Sequence, residues 1–172
     1  MEFISPSSGD SHDRETDPME GESGMAAYIC TKDDYTVSDE RDRLDMDVIH
    51  GFLTRSYWAT GIKRERVQRA MDNSFCYGLY KGDTQIGFAR VLSDLSAIAY
   101  LMDVFVLEEH RGKGLGQWLV KCLMDDPAFA PVRRWMLATH DAHTLYEKFG
   151  FGPYEPASDL MMKFNPDRYT QD

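Results

Sequence analysis

The chain has few cysteines, no long apolar run and no basic leader. Its three cysteines, Cys30, Cys76 and Cys122, lie far apart and form no Cys-x-x-Cys pair, which argues against a disulfide framework or a zinc site. No stretch reaches the roughly 18 apolar residues of a membrane-spanning helix. The N-terminus has no basic region followed by an apolar core. We therefore expect a cytoplasmic protein with no metal site and no membrane partner.

Basic charge is also scarce. The formal net charge of the 172 residues is −10, and binding to nucleic acid requires a broad basic surface, so we expect no nucleic-acid partner. Residues 1–25 hold seven acidic residues and one basic residue, with few large apolar side chains. Such a segment cannot offset its ordering entropy by burial. We expect 1–25 to be a flexible acidic tail or an expression remnant, with a partner-binding arm as the alternative, and 26–172 to form one domain.

Both common nucleotide-binding motifs are absent. A dinucleotide-binding fold has Gly-x-Gly-x-x-Gly after an early strand, and a P-loop has Gly-x-x-x-x-Gly-Lys-Ser/Thr. The chain instead has Gly112-x-Gly114-x-Gly116. This spacing argues against a nucleotide-binding α/β protein.

The stretch from Leu101 to Met124 contains the most informative pattern. Residues 101–106 are apolar apart from Asp103 and favour a buried strand. A glycine-rich loop follows at residues 111–116. Apolar side chains then recur at helical spacing, at Leu115, Trp118, Leu119, Cys122 and Leu123. The pattern predicts a strand, a loop and an amphipathic helix, in that order.

The loop before this helix is typical of an anion site. The first turn of a helix leaves backbone N–H groups without partners, and the helix dipole adds partial positive charge. Glycines let an anion approach the backbone, while Arg111 and Lys113 add full charges. We expect a phosphate or pyrophosphate here. The alternative is an ordinary turn on a solvated face.

The rest of the hydrophobic pattern predicts an α/β fold. The expected elements are a strand at Tyr35–Val37, a helix from Ser38 to about Ser56, a helix over Lys63–Met71, strands at Phe75–Lys81, Thr84–Leu92 and Ile98–Val106, the helix just described, a strand at Arg134–Ala138, a short helix from about Ala142 to Gly150, and a last strand at Leu160–Phe164. This order favours a mixed sheet with helices on both faces.

Two blocks of the chain resemble motifs of the GNAT superfamily, the acyl-CoA-dependent N-acyltransferases. Arg111, Gly114 and Gly116 match the Arg-x-x-Gly-x-Gly pattern of its motif A, and Asp141–Phe151 resembles its A-x-x-x-Y-E-K-x-G-F motif. The blocks stand in the family's order. The resemblance implies the GNAT acyl-CoA N-acyltransferase fold, a mixed, mostly antiparallel central sheet. It also implies that the strands at 101–106 and 134–138 splay apart to admit acetyl-CoA.

The resemblance also implies an activity. Members of the family are acetyl-CoA-dependent N-acetyltransferases, so we expect acetyl-CoA as co-substrate and a small-molecule or protein amine as acceptor. We expect direct transfer in a ternary complex, because no cysteine or serine sits in an activated motif. The alternative is a non-catalytic acyl-CoA-binding sensor or interaction module on the same fold. The family often forms dimers, which leaves a homodimer open.

The family uses its central strand and its loop to hold acetyl-CoA. The strand backbone pairs with the pantetheine arm and polarises the acetyl carbonyl, and N–H groups of the loop bind the pyrophosphate. The implied contacts are Val104, Phe105, Val106, Arg111, Gly112, Lys113, Gly114, Leu115, Gly116, Thr139 and Tyr146. At Thr139, seven residues before Tyr146, many members have asparagine.

Tyr146 occupies the position of the family's general-acid tyrosine, which protonates the leaving thiolate. Its alternative is a packing residue whose hydroxyl finds an incidental partner. Asp103 is the first candidate for the general base, because a carboxylate in an apolar strand is costly unless it is paired or functional. Its alternative is an ion pair with an arginine such as Arg90. Glu108 and His140 are further candidates.

We expect the acceptor to bind between the first two predicted helices and the three predicted strands from Phe75 to Val106. Tyr57 and Trp58 form an aromatic pair at a helix end, which suits a hydrophobic or cationic acceptor. Trp58 could equally fill the core. Arg90 and Tyr100 lie on neighbouring predicted strands and are additional candidates for acceptor contacts.

Overall fold

A curled six-stranded sheet forms the centre of the computed structural model, which describes residues 27–165. The strands are β1 (Ile29–Lys32), β2 (Tyr35–Ser38), β3 (Phe75–Lys81), β4 (Thr84–Ser93), β5 (Ile98–Val106) and β6 (Arg134–Met136). They are ordered β1 to β6 across the sheet, and all neighbours are antiparallel except β5 and β6, which are parallel. The predicted mixed, mostly antiparallel sheet is confirmed. The tail expected at 1–25 lies outside the described residues.

Helices cover both faces of this sheet. They are α1 (Met46–Leu53), α2 (Arg64–Asp72), α3 (Leu115–Asp125) and α4 (His143–Tyr146). Single 3-10 turns occur at Arg41–Arg43, Glu108–His110, Pro127–Phe129, Glu147–Phe149 and Ala157–Asp159. Helices α1 and α2 pack on one face, where Ile49 and Val67 meet Phe88 and Phe105. Helix α3 packs on the other face through side chains such as Leu119.

Local signals explain where α1 begins and ends. The Asp45 side chain accepts hydrogen bonds from the backbone N–H groups of Asp47 and Val48, which caps the first turn. The helix begins at Met46 rather than Ser38, and it ends at Leu53 rather than near Ser56, whose hydroxyl donates to the Leu53 carbonyl at 2.7 Å.

The strand predicted at Leu160–Phe164 is wrong. None of these residues pairs with a strand among residues 27–165, and their side chains are exposed, Met161 by 92%. A strand requires the edge of another strand as its partner. Strand β6 ends at Met136 instead of the predicted Ala138. An apolar run by itself carries no information about whether such an edge is within reach.

A bulge in β5 and an early end to the β5–β6 pairing open the sheet. Met102 lies opposite Arg90 and Phe105 opposite Phe88, so β5 uses one more residue than β4 between the same two pairs. The extra residue is at Asp103, whose φ is +53°. The parallel ladder between β5 and β6 ends at Tyr100 and Met136. Beyond that point β5 continues to Val106 without β6 beside it, as the predicted splay requires.

Candidate active site

A cavity of about 720 Å³ lies where β5 continues past the end of β6. Its walls are the end of β5, the loop before α3, the segment after α1 and the start of α4. The lining residues are Phe52, Arg55, Ser56, Tyr57, Trp58, Val104, Phe105, Val106, Glu108, Arg111, Gly112, Gly114, Leu115, Gly116, Gln117, Asp141, Ala142, Leu145 and Tyr146. The volume is within the range of small-molecule sites.

The glycine loop presents backbone N–H groups to this cavity. Gly112 and Gly114 have φ values of +77° and +75°, which favour glycine, and a Cβ at either position would meet no atom within 4 Å. Gly114 is the N-cap of α3 and supplies no side-chain cap. The first-turn N–H groups of Leu115, Gly116 and Gln117 have no intrahelical acceptor. The loop therefore fits an anion such as pyrophosphate.

Three charged side chains at the cavity rim pair with one another. Arg55 donates two hydrogen bonds to the Glu108 carboxylate, at 2.8 and 3.3 Å, and Arg111 Nη2 lies 3.4 Å from the same carboxylate. Arg111 Nε also donates to the Val106 carbonyl at 2.8 Å. The hydrogen bonds from Arg55 lower the pKa of Glu108 to about 2. A carboxylate with so low a pKa is a weak proton acceptor.

Aromatic stacking fixes one wall of the cavity. The Phe52 ring of α1 stacks on the Phe105 ring of β5 with centroids 3.9 Å apart, and the Arg55 guanidinium lies 4.8 Å from the Phe52 centroid. These contacts join α1 to the end of β5. The position of the strand backbone at the cavity is thereby tied to the core on that face.

Tyr146 is buried at the end of α4 and lines the cavity. Burial, with smaller contributions from Tyr57 and Asp141, raises the pKa of Tyr146 to about 12. The hydroxyl is therefore protonated at neutral pH, as a proton donor must be. Its ring contacts Phe151 edge to face at 5.9 Å, which orients the side chain.

Asp103 forms an ion pair beside the cavity. Its Oδ2 accepts from Arg90 Nε at 2.8 Å, and its Oδ1 accepts from Trp58 Nε1 at 3.3 Å. Both ion-pair side chains are nearly buried, with 13% of Asp103 and 10% of Arg90 exposed. Arg90 also donates to the Ser74 hydroxyl at 3.0 Å. The Arg90 pairing considered from sequence is present, and the role of Asp103 as a base stays a prediction.

Tyr57 connects the two sides of the cavity mouth. Its hydroxyl donates to Asp141 Oδ1 at 3.3 Å and accepts from the His140 N–H at 3.1 Å. The Tyr57 ring also contacts the rings of Trp58 and His140 edge to face, at 4.9 and 5.7 Å. The segment after α1 is thus attached to the loop between β6 and α4.

The cavity brings together most of the site residues predicted from sequence. Those that line it are Tyr57, Trp58, Val104, Phe105, Val106, Arg111, Gly112, Gly114, Leu115, Gly116 and Tyr146. Those outside its lining are Arg90, Tyr100, Asp103, Lys113 and Thr139. The Thr139 hydroxyl instead accepts from the Ala142 N–H at 3.1 Å.

Sequence reasoning missed two charged residues of the cavity, Arg55 and Asp141. Arg55 meets Glu108 across 53 residues of chain, and no local pattern marks that pairing. Asp141 opens the Asp141–Phe151 block, so its place in a motif was a usable signal.

Within residues 27–165, no group of three His, Cys, Asp or Glu side chains could hold a metal ion. No helix in that range is long and apolar enough to cross a membrane.

Comparisons with known proteins agree on one family. Residues 72–153 match the acetyltransferase (GNAT) domain. A Gibberella zeae protein whose name assigns it to the acetyltransferases is 32% identical over 139 residues, which span 69% of this chain and 78% of that protein. A Xanthomonas campestris pv. campestris protein described as belonging to the GNAT family is 41% identical in its crystal structure, with a TM-score of 0.77 over 82% of this chain and 100% of that one.

A more distant crystal structure shares the fold alone. A Clostridium acetobutylicum protein solved with acetyl-CoA is 13% identical and superposes with a TM-score of 0.55, over 80% of this chain and 98% of that one.

Proposed function

Because the chain belongs to the GNAT family of acetyltransferases, we propose that it moves an acetyl group from acetyl-CoA directly to a primary amine. The observation that supports this proposal is the cavity, whose lining combines an uncapped helix N-terminus, a strand end without its neighbour and a buried tyrosine. These are the groups that a thioester donor with a pyrophosphate requires. Family membership makes the chain an acyltransferase. We propose in addition that acetyl-CoA is the donor, that a primary amine is the acceptor and that the transfer is direct.

In this proposal the loop and the strand hold acetyl-CoA. The N–H groups of Leu115, Gly116 and Gln117 bind the pyrophosphate, and Arg111 adds charge at the rim. The backbone of Val104–Val106 pairs with the pantetheine arm. A backbone N–H of that segment donates to the carbonyl oxygen on which negative charge develops during attack by the amine. Acetyl-CoA supplies the acyl group and a thiolate leaving group.

Tyr146 acts on the leaving group in this proposal. Its hydroxyl donates a hydrogen bond, and then its proton, to the thiolate as the carbon–sulfur bond breaks. A cysteine thiol has a pKa of about 8.5, whereas that of Tyr146 is about 12. Tyr146 is the weaker acid, so transfer of its proton to the thiolate is uphill, and a proton from solvent must restore the tyrosine hydroxyl as the thiol leaves.

Asp103 remains the proposed base. Arg90 and Trp58 occupy its two carboxylate oxygens, and the Trp58 contact is the longer, at 3.3 Å. Each carboxylate oxygen can accept a second hydrogen bond, so Oδ1 can take a proton while the Trp58 hydrogen bond stays in place. Glu108 and His140 are the alternatives, and Glu108 has the disadvantage of a low pKa.

The test is release of free thiol from acetyl-CoA with a panel of amines, using the wild-type chain and Tyr146→Phe. We expect Tyr146→Phe to lower kcat by about 10²- to 10⁴-fold, the usual contribution of general acid–base catalysis. The Kd for coenzyme A should change by less than about twofold, since only the hydroxyl is lost.

Tyr80→Phe is the matched control. The Tyr80 hydroxyl is also buried, and it has no hydrogen-bond partner among residues 27–165. Its removal should leave kcat unchanged. Loss of coenzyme A binding in Tyr146→Phe would make Tyr146 a packing residue. Binding of acetyl-CoA without turnover on any amine would favour the sensor module instead.

A further inference from the structure

Among residues 27–165, Asp141 is the charged residue of the cavity lining that lacks an oppositely charged partner. The lining contains four charged side chains, and Arg55, Glu108 and Arg111 pair with one another. Within residues 27–165, no cationic side chain forms a salt bridge with Asp141. Its carboxylate is exposed and accepts one neutral hydrogen bond, from the Tyr57 hydroxyl at 3.3 Å. An unneutralised carboxylate in a cavity attracts cations.

Two aromatic rings stand beside this carboxylate. Tyr57 is 55% exposed and Trp58 is 36% exposed, although both line the cavity and pack edge to face at 4.9 Å. Trp58 is held in place by its hydrogen bond to Asp103. Fixed, exposed aromatic faces next to a carboxylate form a favourable environment for an ammonium group, through cation–π attraction and a charge-assisted hydrogen bond.

Asp141 is also close to the reacting end of the cavity. Its charge is one of the influences that raise the pKa of Tyr146, so the two side chains interact electrostatically. Asp141 precedes α4, and Tyr146 is the last residue of that helix. An amine bound at Asp141 would therefore lie near the proposed proton donor.

We propose that Asp141, with Tyr57 and Trp58, binds the reactive ammonium of the acceptor and selects cationic amines without an anionic group beside the nitrogen. This inference rests on the proposed acetyltransferase function and specifies its substrate class. A carboxylate or phosphate adjacent to the amine would lie near Asp141 and be repelled, whereas a neutral neighbour would not. Ammonium binding contributes to KM, and the nitrogen must then lose a proton to the proposed base, Asp103, before its lone pair can attack the acetyl carbonyl.

The test compares L-phenylalaninamide with L-phenylalanine, in which the amine lies next to a neutral amide or a carboxylate. The amine of the amide is the weaker base, so part of any preference is intrinsic, and the ratio of the two kcat/KM values is therefore compared between the wild-type chain and Asp141→Asn. We expect the wild-type chain to acetylate the amide with a kcat/KM at least about tenfold higher. Asp141→Asn should raise KM for the amide by about 10- to 100-fold, the usual effect of losing a hydrogen bond to a charged group. The preference for the amide should shrink to the part that the different basicity of the two amines causes, because the repulsion of the acid disappears.

Glu147→Gln is the control for long-range charge. Glu147 follows Tyr146, is exposed and does not line the cavity, so removing its charge should leave both kinetic constants and the preference unchanged. The Kd for coenzyme A should be the same in all three proteins. This inference alone would be overturned if Asp141→Asn left the KM for the amide unchanged, or if the wild-type chain preferred the acid. Absence of thiol release with every amine would overturn the proposed function and this inference with it.

Discussion

At the scale of single residues, the chemistry of the site depends on which charges are already paired. Asp103 and Glu108 each accept hydrogen bonds from an arginine, so their negative charges are compensated within the protein. Among the described residues, the Asp141 carboxylate accepts a side-chain hydrogen bond only from the Tyr57 hydroxyl. Sequence patterns favoured Asp103 because a carboxylate interrupts an apolar strand, but that argument cannot separate a paired carboxylate from one that meets the substrate.

The pH dependence of turnover tests the protonation state of Tyr146. Its pKa is raised to about 12, mainly by burial, so the protonated donor persists well above neutral pH. We expect kcat to show no alkaline decline due to Tyr146 between pH 7 and about pH 10. The measurement is the pH profile of kcat for the wild-type chain and Tyr146→Phe. A decline near pH 9 that Tyr146→Phe removes would contradict the raised pKa.

The same raised pKa sets the sign of its effect on stability. The unfolded chain releases the Tyr146 proton near a pKa of about 10, and the folded chain retains it until about 12. The contribution of Tyr146 is therefore complete below about pH 10 and is lost as pH rises towards 12.

At the scale of elements, the loop before α3 and the bulge in β5 together shape the cavity. Gly112 and Gly114 in this loop have backbone dihedral angles in the left-handed region, and no side chain caps the first turn of α3. The bulge at Asp103 shifts β5 by one residue relative to β4 just before the strand end that lines the cavity. Neither element alone would bring strand backbone and helix N-terminus to the same cavity.

Replacing Gly114 with alanine tests the role of the loop. A non-glycine residue in the left-handed region costs about 1–2 kcal/mol of stability. The new Cβ would meet no protein atom within 4 Å, so it would project into open space at the cavity wall. We expect the Kd for coenzyme A to rise about tenfold, equivalent to roughly 1.4 kcal/mol, as measured by calorimetry.

Gly82→Ala provides the matched control. Gly82 lies in the β3–β4 turn with φ +57° and also has open space around its Cβ position, but it does not line the cavity. The Gly82→Ala variant should lose about as much stability as Gly114→Ala and keep its affinity for coenzyme A. Equal loss of affinity in both variants would mean that the effect of Gly114→Ala comes from destabilisation rather than from the site.

At the scale of the whole molecule, the cavity joins parts that pack on opposite faces of the sheet. Phe52 belongs to the core under α1 and α2 and contacts the Trp58 ring, whereas Leu115 belongs to the core under α3. Tyr57 connects the first side to the loop before α4. A ligand in the cavity would contact all three parts and would stabilise them as a unit.

Thermal unfolding with ligands measures this coupling. Acetyl-CoA at about 100 times its Kd should stabilise the folded chain by about 2.7 kcal/mol. For a chain of this size that corresponds to an increase in Tm of roughly 5–10 °C. ATP or NAD at the same concentration should produce a much smaller shift, because the glycine spacing fits neither nucleotide motif. A larger shift with ATP or NAD than with acetyl-CoA would contradict the assignment of the cavity.

The sequence by itself determined the identity of most elements, the glycine loop and the family, because these depend on local spacing. A short stretch of sequence is enough to recognise strands β3 and β5, the loop at 111–116 and the motif at Tyr146. Tertiary structure alone decided which charges pair and which strand edges find partners. Arg55 reaches Glu108 across 53 residues and Tyr57 reaches Asp141 across 84, while Leu160–Phe164 finds no edge at all among the described residues. Distances between segments so far apart in the chain depend on the packing of both faces of the sheet, which no short window of sequence contains.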